Sequence, residues 1–414
     1  MSLILSGRNF KLNGGSTPPI VTDSIVYPPE VQFTNIVPVA MSMPGYLVKT
    51  EDTSYPVING IRHYLMLVTD ETAWGKAAGS SIRAHYSKTG LFNCDRTRCI
   101  IDGKLLDCSN MIFNVIGNVD NDGTNMQWDG NDPDLYWNVN GGKIICMRAS
   151  TNTTVSEVNL TALGWSSVTK GASEGCMDNN NRYMPLQGTL SGIGTCGYYD
   201  LQTSTLVTRP NTFFGGTPDW ITISQSGLYV IQRSSGGTMQ NKQYDLNFNF
   251  LNNLGYGSHE DTGYNFFGQE CLVQHIYIGW KSFDNFVFNS GYVPNDPNSC
   301  EVDQFRTSWN TQWNNGEAMG SHTTARNIQR PGWYYSASAN GYRELYAIKA
   351  DNGRHETMRA NRFGFAREAP GTVQDYTNHE PKVCCSMDGK IMSCPSNWGS
   401  PTQGHTYMFW CEQT

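Results

Sequence analysis

The chain has little charge and no excess of positive charge. Charged residues make up only 16% of its 414 residues, and the formal net charge is −7. A protein that grips nucleic acid through the phosphate backbone needs a basic face. The composition therefore predicts no nucleic-acid partner.

Long apolar runs and helical periodicity are also missing. No stretch is apolar over the length that spans a bilayer, and no long segment has apolar residues at helical spacing. The first residues, MSLILSGRNFKLNGG, lack the basic start and the apolar core of a signal peptide. We therefore expect no membrane span and a chain made in the cytoplasm, with a virion or surface location left open.

Metal-type cysteine spacing is absent, although the chain has 12 cysteines. Cys384 and Cys385 are adjacent, Cys94 and Cys99 are close in the chain, and no second CxxC-like pair follows them. Several cysteines lie in apolar, strand-like runs: Cys99, Cys146, Cys271 and Cys394. We expect small buried hydrophobes at these positions, with structural disulfides as the alternative.

Glycine and aromatic residues are abundant instead. The chain has 42 glycines, and Phe, Trp and Tyr make up 12% of it. Aromatic residues favour strands and glycine favours turns, whereas helices are built from Ala, Glu, Lys and Leu. The composition therefore predicts an all-β protein.

One hairpin pattern recurs along the chain. It consists of a polar or small residue, a turn of Asp, Asn, Ser or Gly, and then three or four β-prone residues. Copies separated mostly by roughly 35–50 residues are FNCDRTRCII (92–101), WDGNDPDLYW (128–137), CMDNNNRYMPL (176–186), ISQSGLYVI (223–231), YNFFGQECLV (264–273), SASANGYRELYAI (336–348) and CCSMDGKIMSCPSNWG (384–399). Several copies are followed by a further strand and turn, which gives about four strands per unit.

This repeat predicts a seven-bladed β-propeller with four-stranded antiparallel blades over residues 41–414. A β-sandwich or jelly roll is the competing all-β fold, but neither repeats one motif seven times. Residues 280–330 are expected to form a long insertion on one face, and residues 1–40 a separate arm and linker. The C-terminal run HTYMFWCEQT is expected to be an outer or closing strand, and IRHYLMLVTD (61–70) is the N-terminal strand expected to complete the ring.

Several motifs resemble one group of propellers. They are DPDLYW, MDNNNRYMPL with YYDLQTSTLV, SHEDTGYNFFGQECLVQ, RNIQRPGWYYSAS and EPKVCCSMDGKIMSCPSNWG. Together, over roughly residues 60–412, they look like bacterial seven-bladed propellers of the oligogalacturonate lyase and ulvan lyase type, with TolB-like blades. The close Gln-x-x-His-x-His cluster of the oligogalacturonate lyases is not present in this chain.

The resemblance implies a site at the mouth of the central channel. In such lyases a metal ion or an Arg neutralises a uronate carboxylate, a base removes the C5 proton, and the glycosidic bond breaks by β-elimination. His259 matches the position of a metal-ligating or catalytic His in these lyases. Its structural alternative is a His that hydrogen-bonds Asp261.

Four histidines lie just before hairpin copies, at places that a ring fold brings around one axis: His85, His259, His322 and His379. Converging imidazoles would suit a divalent ion such as Mn, Zn or Ca. We therefore expect His259, His322 and His379 as metal ligands, if the protein binds metal, and His85 and His379 as ligand-binding residues. Each His could instead belong to a structural polar network.

Other candidates surround these histidines. His322 is followed by Arg326 and Asn327, which could hold a carboxylate, and His85 is flanked by Arg83 and Tyr86. His259, His322, Tyr86 and Arg326 are the catalytic candidates if the protein is an enzyme. Trp309 and Trp313 lie in the long insertion and are candidate sugar platforms. Trp333 is expected in the core, and Trp220, Trp280 and Trp398 in more open positions.

Two functions remain open on these grounds. The first is a binding or structural module that recognises a polysaccharide or a cell-surface glycan, such as a virion or surface component tethered and assembled through residues 1–40. The second is a polysaccharide lyase that acts on an acidic glycan. The incomplete histidine cluster favours the first, and the four histidines with Arg83 and Arg326 favour the second.

Overall fold

A computed structural model describes seventeen stretches of the chain: residues 47–49, 61–68, 92–101, 103–108, 112–119, 126–172, 174–235, 240–256, 260–264, 268, 270–274, 279–282, 323–337, 344–349, 360–365, 383–396 and 407–413. The arm at residues 1–40 and most of the insertion at 280–330 lie outside these stretches, so their predicted roles stay predictions.

The described secondary structure is almost entirely β. The first strands are β1 (Leu47–Lys49), β2 (Ile61–Val68), β3 (Arg98–Ile101), β4 (Lys104–Asp107), β5 (Ile112–Asn118), β6 (Met126–Trp128), β7 (Leu135–Asn140), β8 (Lys143–Arg148) and β9 (Thr153–Asn159). Next come β10 (Trp165–Thr169), β11 (Tyr183–Leu190), β12 (Ile193–Asp200), β13 (Thr205–Pro210), β14 (Pro218–Ile223), β15 (Tyr229–Ser234), β16 (Gln240–Asp245) and β17 (Phe250–Tyr256). The last are β18 (Asp261–Tyr264), β19 (Glu270–Gln274), β20 (Gly279–Ser282), β21 (Trp333–Ala337), β22 (Glu344–Lys349), β23 (Ala360–Phe365), β24 (Cys384–Cys385), β25 (Ile391–Ser396) and β26 (Tyr407–Gln413). Short 3₁₀ turns cover Thr161–Leu163 and Asn211–Phe214.

Consecutive strands pair into antiparallel sheets, as in the blades of a propeller. Three sheets have four strands each, β6–β9, β10–β13 and β14–β17, and two have three, β18–β20 and β21–β23. A sixth, eight-stranded sheet has the order β24-β25-β26-β2-β1-β5-β4-β3 and so contains two copies of the hairpin motif. The described strands thus confirm the all-β propeller.

The hairpin motif recurs because its first polar side chain closes the turn. In four copies this side chain accepts a hydrogen bond from the backbone N–H five residues later. The pairs are Asn93 with Arg98 at 3.0 Å, Asp178 with Tyr183 at 2.8 Å, Ser224 with Tyr229 at 3.1 Å, and Ser386 with Ile391 at 2.9 Å. The motif needs an oxygen acceptor at this place and not one residue type, which explains why Asn, Asp and Ser alternate there.

Neighbouring hairpin turns are bonded to one another around a ring. Taken in chain order, the contacts are Asn93 Nδ2 to Pro133 O at 2.8 Å, Asn131 Nδ2 to Asn179 O at 3.4 Å, Asn179 N to Gln225 O at 2.9 Å, Ser226 N to Glu270 Oε1 at 2.8 Å, Gly332 N to Tyr264 O at 3.0 Å, Gln329 N to Met387 O at 2.9 Å, and Arg96 Nε to Asp388 Oδ2 at 3.3 Å. The last contact returns to the first turn. The sixth turn of this ring is residues 327–332, which joins the segment bridged at Thr324 to β21. The copy predicted at 336–348 is therefore misplaced by one strand, because it spans the pairing of β21 with β22. These contacts connect seven turns in a ring, while the count of seven blades and the four strands of every blade stay predictions.

The chain ends close the ring in the predicted way. Strand β2 pairs antiparallel with β26, in a register that places His63 opposite Cys411 and Tyr64 opposite Trp410. An N-terminal strand thereby completes the sheet that the C-terminal strands begin. This pairing removes two open sheet edges at once.

The core lies between adjacent sheets. One cluster packs Tyr198 and Ile221 of neighbouring sheets together, and another packs Trp165 against Met184. Trp333 is buried, as predicted. The more open position expected for Trp220 is wrong, because its side chain is only 2% exposed and packs against Ile231 and neighbouring sheet residues.

The described cysteines behave as buried hydrophobes. The structure describes the side chains of nine of them; all nine are free thiols, and all except Cys94 are buried. Burial raises the pKa of Cys196 to about 12, so this thiol stays protonated and unreactive. The disulfide alternative finds no support among these nine residues.

Candidate functional site

Two of the ten predicted site residues, Arg326 and Asn327, lie in the described part of the chain. The other eight lie outside it: Arg83, His85, Tyr86, His259, Trp309, Trp313, His322 and His379. Their catalytic, binding and metal-ligating roles therefore stay predictions. The described residues show what surrounds the predicted positions in the chain.

Arg326 lies on an inner segment that pairs with β21 through the bridge between Thr324 and Tyr335. Its guanidinium is buried and contacts Asp261, with Nε and Nη2 each 3.0 Å from Oδ1. Nη2 also lies 3.3 Å from the Thr262 hydroxyl. The other Asp261 oxygen, Oδ2, accepts the Ala325 N–H at 2.9 Å.

Arg326 and Asp261 form a buried pair of opposite charges. Burial disfavours the charged guanidinium, but Asp261, Cys176 and Glu270 together raise the pKa of Arg326 above its ordinary value, with Asp261 the largest of the three. The donors of Arg326 are thus directed at protein acceptors. Binding of a substrate carboxylate by Arg326 stays a prediction, and it would require the ligand to compete with Asp261.

Arg326 also crosses the centre of the ring. Its Nη1 donates to the Met177 carbonyl at 3.0 Å, although Met177 belongs to the segment between β10 and β11, which is not a neighbour of β21. Gln225 Nε2 donates to the carbonyls of Thr262 at 2.5 Å and Ala325 at 2.7 Å. Polar side chains therefore connect segments of sheets that are not neighbours in the ring.

A buried lysine adds to the central network. Lys170 is completely buried, and its Nζ donates to the Met126 carbonyl at 2.8 Å. Burial lowers the pKa of Lys170 to about 8. Nearby, the Met177 N–H donates to Gln127 Oε1 at 2.8 Å, so side chains tie the inner segments of two adjacent sheets together.

The Asn327 side chain stabilises the turn that precedes β21. Its Nδ2 donates to the Arg330 carbonyl at 2.5 Å and to the Trp333 carbonyl at 3.0 Å. The Arg330 guanidinium lies over the Trp333 ring, with Cζ 5.0 Å from the ring centroid. The geometry of Asn327 is that of a turn residue, and its role in ligand binding stays a prediction.

A second polar group lies at the opposite end of the sheets from the motif turns. At this end the first strand of a sheet, such as β14, begins. Arg233 Nη1 is 3.1 Å from Asp219 Oδ2 and 3.9 Å from Glu260 Oε2. Asn241 Nδ2 donates to Glu260 Oε1 at 2.8 Å. We call Asp219, Arg233, Asn241 and Glu260 the strand-start cluster.

Strand register explains why Arg233 and Asn241 meet. Arg233 of β15 is opposite both Trp220 of β14 and Asn241 of β16, so all three lie on one face of the sheet. Glu260, just before β18, meets that face from the next sheet. Residue-by-residue inspection of the sequence missed the cluster, although an Arg within the strand YVIQRS was an available signal for a buried charge.

The strand-start cluster has unused hydrogen-bonding capacity. Arg233, Asn241 and Glu260 are buried, whereas Asp219 is 50% exposed and opens the cluster to solvent. Among the described residues, neither Arg233 Nε nor Asn241 Oδ1 has a hydrogen-bond partner. Buried polar atoms of this kind are expected to bind water or a polar ligand.

The described residues offer no group of three His, Cys, Asp or Glu side chains that could hold a metal ion. The predicted ligands His259, His322 and His379 lie outside this part of the chain, so the expected Mn, Ca or Zn ion stays a prediction. No helix among the described residues is long and apolar enough to cross a membrane.

Neither a protein-family model nor a curated relative matches the sequence. Among solved structures, the chain is similar to the Myceliophteria thermophila Cps50 (Swd1) β-propeller domain, with a TM-score of 0.49 and 10% identity, over 82% of this chain and 98% of that chain. The fold stands on the sheets and on the ring of turns described above. The comparison adds no functional residue to them.

Proposed function

We propose that the protein is a glycan-recognising β-propeller, a binding module for a polysaccharide or a cell-surface glycan. The observation that carries the proposal is the strand-start cluster. It combines a guanidinium, an amide and two carboxylates within one group, with Asp219 open to solvent. Sugar hydroxyls both donate and accept hydrogen bonds, so a mixed set of this kind suits them.

The cluster also adjoins the predicted site in the chain. His259 directly precedes Glu260, and Thr323 directly follows His322. Inner strands of a propeller run in the same direction around the axis, so their first residues share one face of the disc. The predicted histidine site is thus expected on the same face of the disc as the strand-start cluster.

The ion pairs of Arg326 and Arg233 fit binding without catalysis better than β-elimination. A lyase needs a cation that is available to neutralise the uronate carboxylate. Arg326 is paired with Asp261, and Arg233 with Asp219. The lyase therefore remains the alternative, and residues 1–40 remain the proposed tether to a virion or surface assembly.

The first test is glycan binding with a matched pair of variants. We expect the wild-type protein to retain sugars on a glycan array, and Asp219→Asn to weaken calorimetric affinity for the best oligosaccharide about tenfold, since a charged hydrogen bond is lost. Glu157→Gln is the control, because Glu157 is an exposed carboxylate that pairs with Lys143 at 3.0 Å outside the cluster. Equal losses in both variants, or no retained sugar, would contradict the proposal.

A lyase assay tests the alternative. The protein is incubated with a panel of uronate polysaccharides, with and without Mn or Ca, and the ultraviolet absorbance of the unsaturated product is followed. We expect a flat trace. A rise that is lost in His259→Ala would establish the enzyme instead. If no sugar is retained and no unsaturated product forms, an assembly role for residues 1–40 would remain.

A further inference from the structure

An aromatic surface lies apart from the strand-start cluster, where the sheets β10–β13 and β14–β17 pack together. Phe213 is 45% exposed and Phe250 is 54% exposed. Beneath them, the Tyr244 ring is buried, 5.9 Å from the Phe213 ring and 6.0 Å from the Phe250 ring between centroids. The two exposed rings therefore rest on a common buried support.

The loop beside these rings is held in an unusual conformation. Phe248 has a φ of 65°, in the left-handed region that a bulky residue rarely adopts. Its ring is buried and stacks with Tyr198 at a centroid distance of 6.2 Å, which keeps the backbone in place. Such strain persists only where the surroundings impose it, and it is concentrated at functional sites.

Asp245 fixes the same loop from its other end. Its Oδ1 accepts the N–H groups of Asn247 and Asn249, each at 2.8 Å, and its Oδ2 accepts Asn249 Nδ2 at 2.8 Å. Arg209 Nη2 donates to the Asn247 carbonyl at 2.9 Å, and its Cζ lies 5.8 Å from the Phe213 ring centroid. Two exposed asparagines are thus held beside the exposed rings.

We propose that Phe213, Asn247, Asn249 and Phe250, the aromatic platform, form a second carbohydrate subsite that takes the C–H face of a neutral pyranose. The inference rests on the proposed function, because it names a further contact with the same class of ligand. An exposed ring offers dispersion contact to the C–H face of a sugar. Neighbouring amides offer a donor and an acceptor to its hydroxyls.

The polar rim and the fixed loop favour a sugar over a protein partner. The centre of a protein interface is rich in large apolar groups and poor in polar ones. Here the exposed rings lie directly beside the hydrogen-bonded loop of Asp245, Asn247 and Asn249. A loop that is already rigid also loses little conformational entropy when a small ligand binds.

The test measures binding of neutral oligosaccharides, with cellohexaose and mannohexaose as probes, by calorimetry. Phe250→Ala is the main variant, since Phe250 is the more exposed ring, and Phe213→Ala is the second. We expect each to lower affinity about tenfold for the hexasaccharide that binds. Ile193→Ala is the matched control, because Ile193 is a 58% exposed apolar side chain on β12, and its affinity should equal the wild type.

The outcomes separate this inference from the proposed function. If no sugar binds the wild-type protein on the array or in calorimetry, both are overturned. If sugars bind and Asp219→Asn weakens them while both phenylalanine variants bind normally, only the platform is overturned. Sedimentation of the same variants adds a check: a wild-type dimer that Phe250→Ala dissociates, with sugar affinity unchanged, would identify the rings as a contact between two copies.

Discussion

At the residue scale, the motif turns depend on backbone conformation as much as on hydrogen bonds. The residue three positions after the polar acceptor adopts a left-handed φ in four copies: Arg96 at 64°, Asn181 at 54°, Gly227 at 73° and Gly389 at 65°. A type I turn followed by such a residue is a common hairpin connection. Arg and Asn tolerate the position in two copies, so glycine is not required by φ alone.

Gly389 has a second constraint, which predicts the effect of replacing it. A Cβ at Gly389 would lie 2.4 Å from the Tyr335 hydroxyl oxygen, and this hydroxyl donates to the Gly389 carbonyl at 2.6 Å. We expect Gly389→Ala to lower the free energy of unfolding by about 2–4 kcal/mol, because left-handed strain is joined by a steric clash. Urea unfolding of the purified protein measures this loss.

The matched control for Gly389→Ala is Gly141→Ala. Gly141 also has a positive φ, 56°, but a Cβ there would meet nothing within 4 Å. Its expected cost is about 1 kcal/mol, which is the backbone term alone. Equal costs at the two positions would show that the contact with Tyr335 carries no energy.

At the scale of the elements, contacts between residues close in the chain could be predicted from the sequence, whereas contacts between separate sheets could not. The hairpin copies could be recognised because an acceptor such as Ser224 and its partner Tyr229 are five residues apart. The pairing of β2 with β26 could be predicted because the sheets of a propeller form a closed ring, and few strands outside the repeat were available to close it. Trp220 was misjudged because its burial depends on Leu272 of the next sheet.

The candidate site was harder to predict for the same reason. The sequence shows Arg326 beside His322, but it does not show that Asp261, 65 residues earlier, contacts its guanidinium. The strand-start cluster likewise joins Asp219, Arg233 and Glu260 from two sheets. Such pairs follow from sheet packing, which hairpin motifs alone do not determine.

The register of β2 and β26 predicts where an engineered disulfide can join the two strands. His63 and Cys411 are opposite each other in the register of β2 and β26. Directly paired residues of antiparallel strands have Cα atoms about 4.5–5.5 Å apart, which suits a disulfide. We expect His63→Cys to form an intramolecular disulfide with Cys411 on mild oxidation and to stabilise the fold by about 4 kcal/mol, because the bond closes a very long loop.

Peptide mapping and thermal unfolding with and without reductant measure this disulfide. Arg62→Cys is the control, because Arg62 is opposite Glu412, one residue out of register with Cys411. We expect little cross-linking to Cys411 in that variant. Equal cross-linking from both positions would contradict the register of the closing strands.

At the scale of the whole molecule, some contacts skip neighbours in the ring. Turn-to-turn contacts such as that between Arg96 and Asp388 join adjacent units only. Arg326, by contrast, binds Asp261 of the preceding sheet and the Met177 carbonyl across the ring. A chain of nearest-neighbour units can unfold piecemeal, whereas a shared central contact couples distant units.

This coupling predicts the effect of removing the central carboxylate. Asp261→Asn leaves the Arg326 cation buried without its anion, and we expect a loss of about 3–5 kcal/mol in the free energy of unfolding. Removing both charges, as in the double variant Asp261→Asn with Arg326→Met, should cost less than Asp261→Asn alone. Glu157→Gln, at an exposed ion pair, should cost about 0–1 kcal/mol.

Cooperativity is the sharper readout of the same variants. In the wild-type protein, urea transitions followed by tryptophan fluorescence and by far-ultraviolet circular dichroism should coincide, as expected of a single unfolding unit. In Asp261→Asn the two transitions should separate, because the sheets on either side of the centre lose their common contact. Coincident transitions with an unchanged slope would mean that the ring of turns and the β2–β26 pair hold the propeller together without the central network.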